Sequence, residues 1–471
     1  LTGDTRIQRA DTGELVPLAD LARAKEPVPV WALGPDWKLH LVTMSKVFPS
    51  GVKPVYRLRT RSGRSIRASA NHPFRRLEGW VRLDALTVGD RIAVPRLAHP
   101  PARCLDMDLD RVVLLAHLIG NGRFVERQPL HYTSRDPACL DAVEKAARQF
   151  DVTPRRVKQK NWWHIYLSAN HHLTHGTRNP IAAWLDELGI HGQRSKEKSI
   201  PPVVFRLPNE QVALFLRHLW ATDGTIGWNP KTGHSGRADI RYHTSSLLLA
   251  EQVRHLLLRL GINARIRVVP QRNPYDPQYH VDVSGKADQE RFLDTVGVFG
   301  AKEKRAALIR AELSTREANP NCGVIPKEIW RTEISGSTLF KHGVSRKRLE
   351  RITHFFPDQV LCDLAHSDVY WDEIVDIELE GEETVYDGTV PGLHNFIAND
   401  IFVHNSIEQD ADVVMFIYRD AIYNPDTEFK NIADIIIAKH RHGPTGHVPL
   451  FFKAELAQFL PVEQIREDLE F

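Results

Sequence analysis

Residues 1–95 consist of short apolar segments that are separated by polar residues and turn formers. VYRLRTRSG, RSIRASANHPF and GWVRLDALTVGDRIAVP follow one another, with Gly63, Gly79 and Gly89 at the breaks. Short apolar runs bounded by glycine and polar residues are typical of β-strands joined by tight turns. The pattern therefore predicts an all-β region.

A different pattern begins after a connector near residues 95–104. RVVLLAHLIG has helical apolar spacing, and the region that follows contains an internal repeat. The first copy reads LLAHLIGNG, HYTS and CLDAVEKAARQF; the second reads LFLRHLWATDG, YHTSS and AEQVRHLLLRLGI. Each copy predicts a helix that ends in a small-residue turn, then a strand, then another helix. Asn121 and Asp223 occupy equivalent turn positions.

Strand-like text returns after residue 356, with WDEIVDIELEGEETVYDGTV, the turn PGLHNFIAND and the strand IFVHN. We therefore expect one β-domain that is split in sequence, with the repeat domain inserted into it. From residue 406, VVMFIYR, ADIIIAK and VPLFF alternate with acidic stretches, as consecutive buried strands of an α/β sheet would. These strands are too few to form a whole domain.

Composition narrows the class of protein. A hydrophobic share of 42% with 26% charged residues indicates a chain that folds around cores. Because there is no apolar run of roughly 18–20 residues and no basic-then-apolar start, we expect a cytoplasmic protein that does not interact with membranes. Basic clusters such as RSKEK (194–198) and KEKR (302–305) suit a phosphate backbone. Solvated helix faces would also explain them, and charge alone favours that explanation.

Three segments at the edges of the β-domain resemble the splice motifs of inteins of the Hint fold. They are LTGDTRI at the start, IRASANHPF (66–74) and VYDGTVPGLHNFIANDIFVHNS (385–406). The last is the most specific, because a His-Asn-Ser string after an HNFIAN turn matches the C-terminal splice junction of the family. The resemblance implies autocatalytic protein splicing without a cofactor.

The family pattern assigns the first half of the reaction to two residues. The residue at the position of His72 donates to the departing amide nitrogen, and the residue at the position of Ser69 hydrogen-bonds the scissile peptide. Family members usually have threonine at the latter position, and serine keeps the hydroxyl. The family also has a cysteine before the LTGDT string, whereas this chain starts at Leu1. We therefore expect the leading nucleophile and an N-terminal helicase segment to lie upstream of this chain.

The second half involves residues near the other junction. By resemblance, Ser406 is the nucleophile of the transesterification and Asp387 tunes that step. Asn405 cyclises by attack of its amide nitrogen on its own carbonyl carbon, and His404 and His394 polarise or protonate the scissile amide.

The repeat resembles the paired helices of LAGLIDADG homing endonucleases, which cleave double-stranded DNA. In that family each helix ends in a carboxylate that holds a divalent metal. Asp223 fits this role and is the expected ligand for Mg²⁺, whereas Asn121 occupies the partner position without a charge. Lys198 matches the active-site lysine of the family. The resemblance therefore predicts DNA binding with weak or absent double-strand cleavage.

From Ser406 onwards, SIEQDADVVMFIYRD and IADIIIAKHRHGPTGHVPLFF resemble the end of a DnaB-type hexameric helicase with a RecA-like core. In that family, residues at the positions of Lys439 and Arg441 reach the ATP of a neighbouring subunit. The chain contains no GxxxxGK[ST] string, so the resemblance implies an ATP site that other sequence completes, in a homohexameric spliced host.

The sequence thus predicts a multidomain chain. It comprises an all-β split Hint splicing domain (1–98 and 361–405), an inserted α+β LAGLIDADG pseudo-twofold domain (99–302), a candidate DNA-contact helical module (303–360) and a fragment of an α/β RecA-like helicase (406–471). Two alternatives remain open. One is a DNA-binding protein on a LAGLIDADG scaffold, and the other is an active homing endonuclease that does not splice.

Overall fold

The computed structural model describes most of the chain. The described residues are 1–125, 128–172, 178–231, 234–271, 276–317, 323–329, 343–355, 357–405, 413–424, 427, 430–440, 444, 446–456 and 458–462. The chain forms two compact units, Leu1–His404 and Asn405–Phe471.

Two stretches of sequence form one domain, which we call the split β-domain. Its elements are β1 (Arg6–Gln8), β2 (Leu15–Pro17), α1 (Leu18–Ala24), β3 (Val28–Leu33), β4 (Leu39–Met44), β5 (Lys46–Thr60), β6 (Ser65–Ser69), β7 (Pro73–Arg75), β8 (Trp80–Arg82), β9 (Arg91–Pro95), β18 (Val369–Thr389), β19 (Asn395–Ala398) and β20 (Ile401–His404).

Strand pairing joins the two stretches. The long strand β18 pairs antiparallel with β5 and, at its start, with β9, where Val369 lies opposite Pro95. A second sheet has the order β2-β1-β19-β20-β7-β8, so strands from both stretches alternate within it. The split that the sequence predicts is therefore present. The domain is not purely β, because α1 packs its buried Leu18 and Leu21 into the core.

Between β9 and β18 lies a second domain, which we call the inserted domain. It contains α2 (Leu109–Asn121), β10 (Gly122–Arg123), β11 (His131–Ser134), α3 (Pro137–Ala147), β12 (Val152–Lys158), β13 (Trp163–Ala169), α4 (Pro180–Glu187), α5 (Pro202–Phe205), α6 (Asn209–Asp223), β14 (Gly224–Lys231), β15 (His234–Thr244), α7 (Leu247–Arg259), β16 (Ala264–Val269), β17 (Gln278–Val283), α8 (Lys286–Arg291) and α9 (Glu303–Ser314).

The inserted domain has two similar halves. The two four-stranded antiparallel sheets have the equivalent orders β10-β11-β13-β12 and β14-β15-β17-β16. The first helix of each half, α2 or α6, is followed directly by a strand, and the two helices pack against each other with nearly every apolar residue buried. The repeat predicted from the sequence thus corresponds to a pseudo-twofold architecture.

The segment predicted as one helical module, 303–360, is divided between two cores in the described part of the chain. Helix α9 adds Ile309 and Leu313 to the core of the inserted domain. The next described helices, α10 (Arg346–Phe355) and α11 (Gln359–Ala365), pack instead on the split β-domain, where Leu349 joins the cluster that contains Phe402. Apolar contacts therefore assign the two parts to different domains. Residues 318–322, 330–342 and 356 of this segment lie outside the described residues.

The C-terminal unit forms an antiparallel sheet of β21 (Val413–Tyr418), β22 (Ile432–His440), β23 (Gly446–Lys453) and β24 (Gln458–Pro461), with a one-turn helix at Asp420–Tyr423. The sequence predicts buried strands here, whereas Met415, Phe416 and Ile417 are at least half exposed. An apolar sheet buries its faces only against another layer.

Among the described residues, none of the helices combines the length and the apolar composition needed to cross a bilayer.

Candidate functional site

The first residues of the chain are held inside the split β-domain. The Leu1 nitrogen donates to the Tyr386 carbonyl at 2.9 Å, and the Tyr386 nitrogen donates to the Leu1 carbonyl at 2.6 Å. Thr2 continues this pairing with a bridge to Val385 and donates its own nitrogen to the Arg67 carbonyl. Leu1 is almost fully buried. The backbone around Leu1 is therefore fixed between β18 and β6.

His72 lies in the turn between β6 and β7, close to that backbone. Its nitrogen donates to the Ser69 carbonyl at 3.0 Å, which closes the turn, and its ring packs edge-on against Phe74. Burial holds the pKa of His72 well below its usual value, and the neighbouring Leu1 nitrogen and His404 ring lower it further. The imidazole is therefore neutral at pH 7 and lies within electrostatic range of both ends of the splicing region.

Ser69, at the end of β6, is also buried, and its hydroxyl donates to the Asn71 side-chain oxygen at 2.8 Å. The resemblance assigns this hydroxyl to the scissile peptide before Leu1. In the structure it lies on the same short turn as His72, so the two predicted residues are brought together.

At the other end of the site, His404 ends β20. This strand pairs with β19 and, through Val403 and Phe74, with β7, which follows the His72 turn. The His404 ring contacts Trp80 edge-on at 4.8 Å between centroids and stacks on His394 at 6.3 Å. Both predicted histidines thus share one side of the sheet. Asn405, the next residue along the chain, is buried.

His394 has a left-handed backbone, with φ of 53°. Few residues other than glycine adopt this conformation, so the surrounding structure must hold it in place. The turn from Val390 provides that support, because the His394 nitrogen donates to the Val390 carbonyl at 3.2 Å.

Asp387 lies on β18, one residue after Tyr386, and is buried. One of its carboxylate oxygens accepts from the Gly388 nitrogen at 2.8 Å, and its negative charge acts on the Leu1 nitrogen. Asp387 and His72 are thus two titratable groups in the neighbourhood of the Leu1 nitrogen.

A second site lies where α2 and α6 end. Asn121 and Asp223 are the last residues of the two helices, and both border a cavity of about 530 Å³ that Lys198 also lines. Burial raises the pKa of the Asp223 carboxyl, although Lys198 and Lys302 counteract this effect. Burial likewise lowers the pKa of Lys198 to about 8.

The sequence did not identify Lys302 as part of this second site. Its ammonium donates to the carbonyls of Trp220, Ala221 and Thr222 at 2.6, 2.9 and 3.3 Å, at the end of α6. Lys198 donates in the same way at the end of α2, to the Gly120 and Gly122 carbonyls at 2.6 and 3.1 Å. Cations stabilise the negative end of a helix.

A signal for Lys302 was present in the sequence. KEK occurs at 196–198 and again at 302–304, and Lys302 follows Asp223 at nearly the interval by which Lys198 follows Asn121. A comparison of the basic residues in the two repeat copies would therefore have identified Lys302.

Two family profiles match the chain. The profile described as "Intein splicing domain" matches residues 7–405, which is most of the chain. The chain belongs to the intein splicing family. A second profile, described as "DnaB-like helicase C terminal domain", matches residues 360–461 of this intein-containing chain.

Replicative helicases are among the relatives of this chain. "Replicative DNA helicase DnaB" of Synechocystis sp. is 41% identical over 98% of this chain, and that of Rhodothermus marinus is 44% identical over 98%. The chain spans only 56% of the length of the first relative and 52% of the length of the second.

Two solved structures align with parts of this chain. The Ssp DnaB mini-intein variant M86 is 17% identical and has a TM-score of 0.28, covering 87% of this chain and 95% of its own. I-DmoI in complex with DNA and Mn is 14% identical and has a TM-score of 0.29, covering 40% of this chain and 98% of its own.

Three residues predicted for the intein and its flanking segment are described in part or not at all. Ser406 and Arg441 lie outside the described residues, and only the backbone of Lys439, on β22, is described.

Proposed function

We propose that this chain excises itself from a helicase precursor by protein splicing, and that the split β-domain carries the reaction. The observation that supports this most directly is the neighbourhood of His72. The two strands that flank the His72 turn contact both ends of the domain: the Thr2 nitrogen donates to the Arg67 carbonyl on β6, and Val403 of β20 pairs with Phe74 of β7. A reaction that cuts at both ends of an intein needs both junctions in one site.

In the first half of the proposed reaction, the side chain of a nucleophilic residue directly before Leu1 attacks the carbonyl carbon of the residue that precedes it. This attack displaces the backbone nitrogen of the nucleophilic residue and leaves an ester or thioester. The neutral His72 imidazole accepts the proton of the attacking group and passes it to the leaving nitrogen, and the Ser69 hydroxyl stabilises the strained peptide. The leaving nitrogen belongs to the residue that is joined to Leu1. The hydrogen bonds between Leu1 and Tyr386 hold that residue in place through the Leu1 nitrogen. Asp387, beside the same nitrogen, tunes the transfer to the second nucleophile, Ser406.

In the second half, the Asn405 amide nitrogen attacks the Asn405 carbonyl carbon. An aminosuccinimide forms, the peptide bond to Ser406 breaks, and the amino group of Ser406 leaves with a proton. We assign to His404 and His394 the polarisation of that carbonyl or the supply of the proton, and the contact between their rings at the end of β20 supports this assignment. A final O-to-N shift joins the flanking segments through a normal peptide bond.

The test is to splice a precursor that carries a cysteine and a short segment before Leu1. Mass spectrometry should find the ligated flanks and an excised body. Asn405→Ala should abolish excision, whereas Asn170→Ala, an exposed asparagine in the inserted domain, should leave it unchanged. Identical product masses from wild type and Asn405→Ala would overturn the assignment.

A second candidate function, DNA recognition, rests on the inserted domain. The ends of α2 and α6 carry one carboxylate and one amide, which line a cavity together with Lys198, and the partly buried Lys302 binds the end of α6. Oxygen donors of this kind suit one Mg²⁺, which Asp223 would hold and which would supply charge at a scissile phosphate. In the described residues, no group of three or more histidine, cysteine or acidic side chains could hold a metal. We therefore infer double-stranded DNA binding with weak cleavage.

The segment after Asn405 corresponds to the host. We infer that it completes a DnaB-type helicase after splicing, with Lys439 and Arg441 directed to ATP of a neighbouring subunit in a homohexamer. The helicase profile over residues 360–461 supports this assignment. ATP hydrolysis by purified spliced host, lost on Arg441→Ala, would test it.

A further inference from the structure

The turn between β19 and β20 has an unusual backbone. Asn399 and Asp400 both have positive φ, 48° and 59°, and the chain then enters β20, which runs from Ile401 to His404 and leads directly into Asn405. Asparagine and aspartate tolerate this left-handed conformation better than other non-glycine residues. The turn therefore sets the starting point of the strand that carries the C-terminal splice junction.

The inserted domain holds this turn. His255 of α7 donates from Nδ1 to one Asp400 carboxylate oxygen at 2.8 Å, and Arg254 donates to the other at 3.3 Å. The side chains of Arg254, His255 and Asp400 are only 5%, 3% and 7% exposed. Arg254 also donates to the Gly63 carbonyl at 3.1 Å, in the β5–β6 turn of the split β-domain.

Other charged groups surround this cluster. Arg64 is buried beside it and pairs with Asp372 at 3.6 Å, and Glu251 of α7 pairs with Arg6 at 3.1 Å nearer the surface. Burial disfavours ionisation of Asp400, but His255, Arg254 and Arg64 outweigh it and hold the pKa of this carboxyl below its usual range. Asp400 is therefore an anion whose charge is balanced from the inserted domain.

We propose that His255 and Arg254 of the inserted domain are positioning residues for C-terminal cleavage, acting through Asp400. The inference rests on the splicing function proposed above. It assigns the inserted domain a part in splicing, in addition to any part in DNA recognition.

The physical reason is the cost of an unbalanced buried charge. If one partner of a buried ion pair is removed, the other charge is left in a medium that solvates it poorly, and the structure shifts to let water reach it. Here the part free to shift is a two-residue turn with a strained backbone. Because β20 is only four residues long, a displacement of Asp400 also displaces His404 and Asn405.

The experiment uses the chain of residues 1–471, in which cleavage at Asn405 releases the fragment 406–471. Its release is followed by mass spectrometry for the wild type, His255→Ala, Arg254→Ala and Asp400→Ala. We expect cleavage to slow on the order of tenfold to a hundredfold in each variant, as misplacement of reacting groups does. Asp400→Asn keeps an oxygen for His255 and the turn preference, so it should restore part of the rate. Glu251→Gln breaks the neighbouring Arg6 pair and should stay within about twofold of the wild type.

Two further measurements separate positioning from misfolding. Thermal melts show whether each variant is folded. In a precursor with a cysteine and a flank before Leu1, hydroxylamine cleavage reports the first acyl shift, which should keep its rate in His255→Ala while C-terminal cleavage slows. Equal slowing of both steps, or unchanged C-terminal cleavage, overturns the proposal. If Asn405→Ala releases as much fragment as the wild type, the splicing function itself fails.

Discussion

Gly120 and Thr222 face each other where α2 and α6 cross, and a methyl group on Gly120 would lie 2.1 Å from the Thr222 hydroxyl oxygen. That distance is far below van der Waals contact, so the two helices approach as closely as they do only because position 120 has no side chain. Asn121 and Asp223 follow these two residues directly. The close approach therefore also sets the separation of the groups at the candidate nuclease site.

Replacing Gly120 with alanine should destabilise the inserted domain by about 1–3 kcal/mol, because overpacking forces the helices apart. Gly227→Ala is the matched control, since nothing lies within 4 Å of the position its Cβ would occupy. Urea unfolding measures both. A Gly120→Ala variant as stable as Gly227→Ala would mean that the helices adjust without cost.

A buried histidine pair joins the same two helices. His117 Nε2 and His218 Nδ1 are 3.0 Å apart, and the other His117 nitrogen bonds the Tyr132 hydroxyl at 2.9 Å. Burial holds the pKa of His117 well below its usual value and lowers that of His218 to about 4. Because the unfolded chain binds protons near pH 6.5 and the folded one does not, stability is full above that pH and is lost as the pH falls towards 4.

We expect the free energy of unfolding to drop by about 1–3 kcal/mol between pH 7 and pH 4.5 on account of this pair. The control is the triple variant His117→Leu/His218→Leu/Tyr132→Phe, which removes the titrating groups and the hydroxyl that would lose its partner. Its stability should depend less on pH over this interval. Parallel pH curves for the two proteins would contradict the prediction.

Asn121→Asp should increase DNA cleavage. The substitution gives α2 the terminal carboxylate that α6 already has in Asp223, and so a second charged ligand for a divalent cation. A plasmid bearing the uninterrupted host gene, incubated with Mg²⁺, should be cut more by the variant than by the wild type. Asp223→Asn should remove what activity the wild type has. If the wild type cleaves DNA at the same rate as Asn121→Asp, Asn121 does not limit cleavage and the prediction is wrong.

Lys198 and Lys302 should contribute equally to that cleavage, because each donates to carbonyls at the end of one helix and the charge of each acts on Asp223. In the Asn121→Asp background, Lys198→Met and Lys302→Met should each slow cleavage by about a hundredfold, as loss of a charge-stabilising donor does. Lys304→Met, an exposed neighbour of Lys302, should not. DNA affinity from fluorescence anisotropy should change little in all three. A Lys302→Met variant that cuts normally would limit the role to Lys198.

The sequence predicted the parts of the fold that local pattern controls. The helices that end at Asn121 and Asp223 are long and apolar, and the splice motifs lie on strands and turns where the pattern predicted them. His72, His394 and His404 were found from motif strings alone, and the structure places them around one sheet.

Features that depend on distant contacts were not predicted. The contact of Asp400 with His255 joins residues 145 apart in the chain, and nothing local to either residue indicates it. The same is true of the segment 303–360, which reads as one module because its division depends on which core Ile309 and Leu349 enter. Helix α1 was missed because it is only seven residues long.

The register that sets Pro95 opposite Val369 has a consequence for how the gene can change. The polypeptide leaves the sheet and re-enters it at neighbouring points, so the chain between them forms a closed excursion from this sheet. Part of that excursion, α10 and α11, packs on the split β-domain. The entropic cost of such an excursion grows only with the logarithm of its length. A change in the length of the inserted segment therefore costs little loop-closure entropy, and it leaves the pairing of β9 with β18 unchanged.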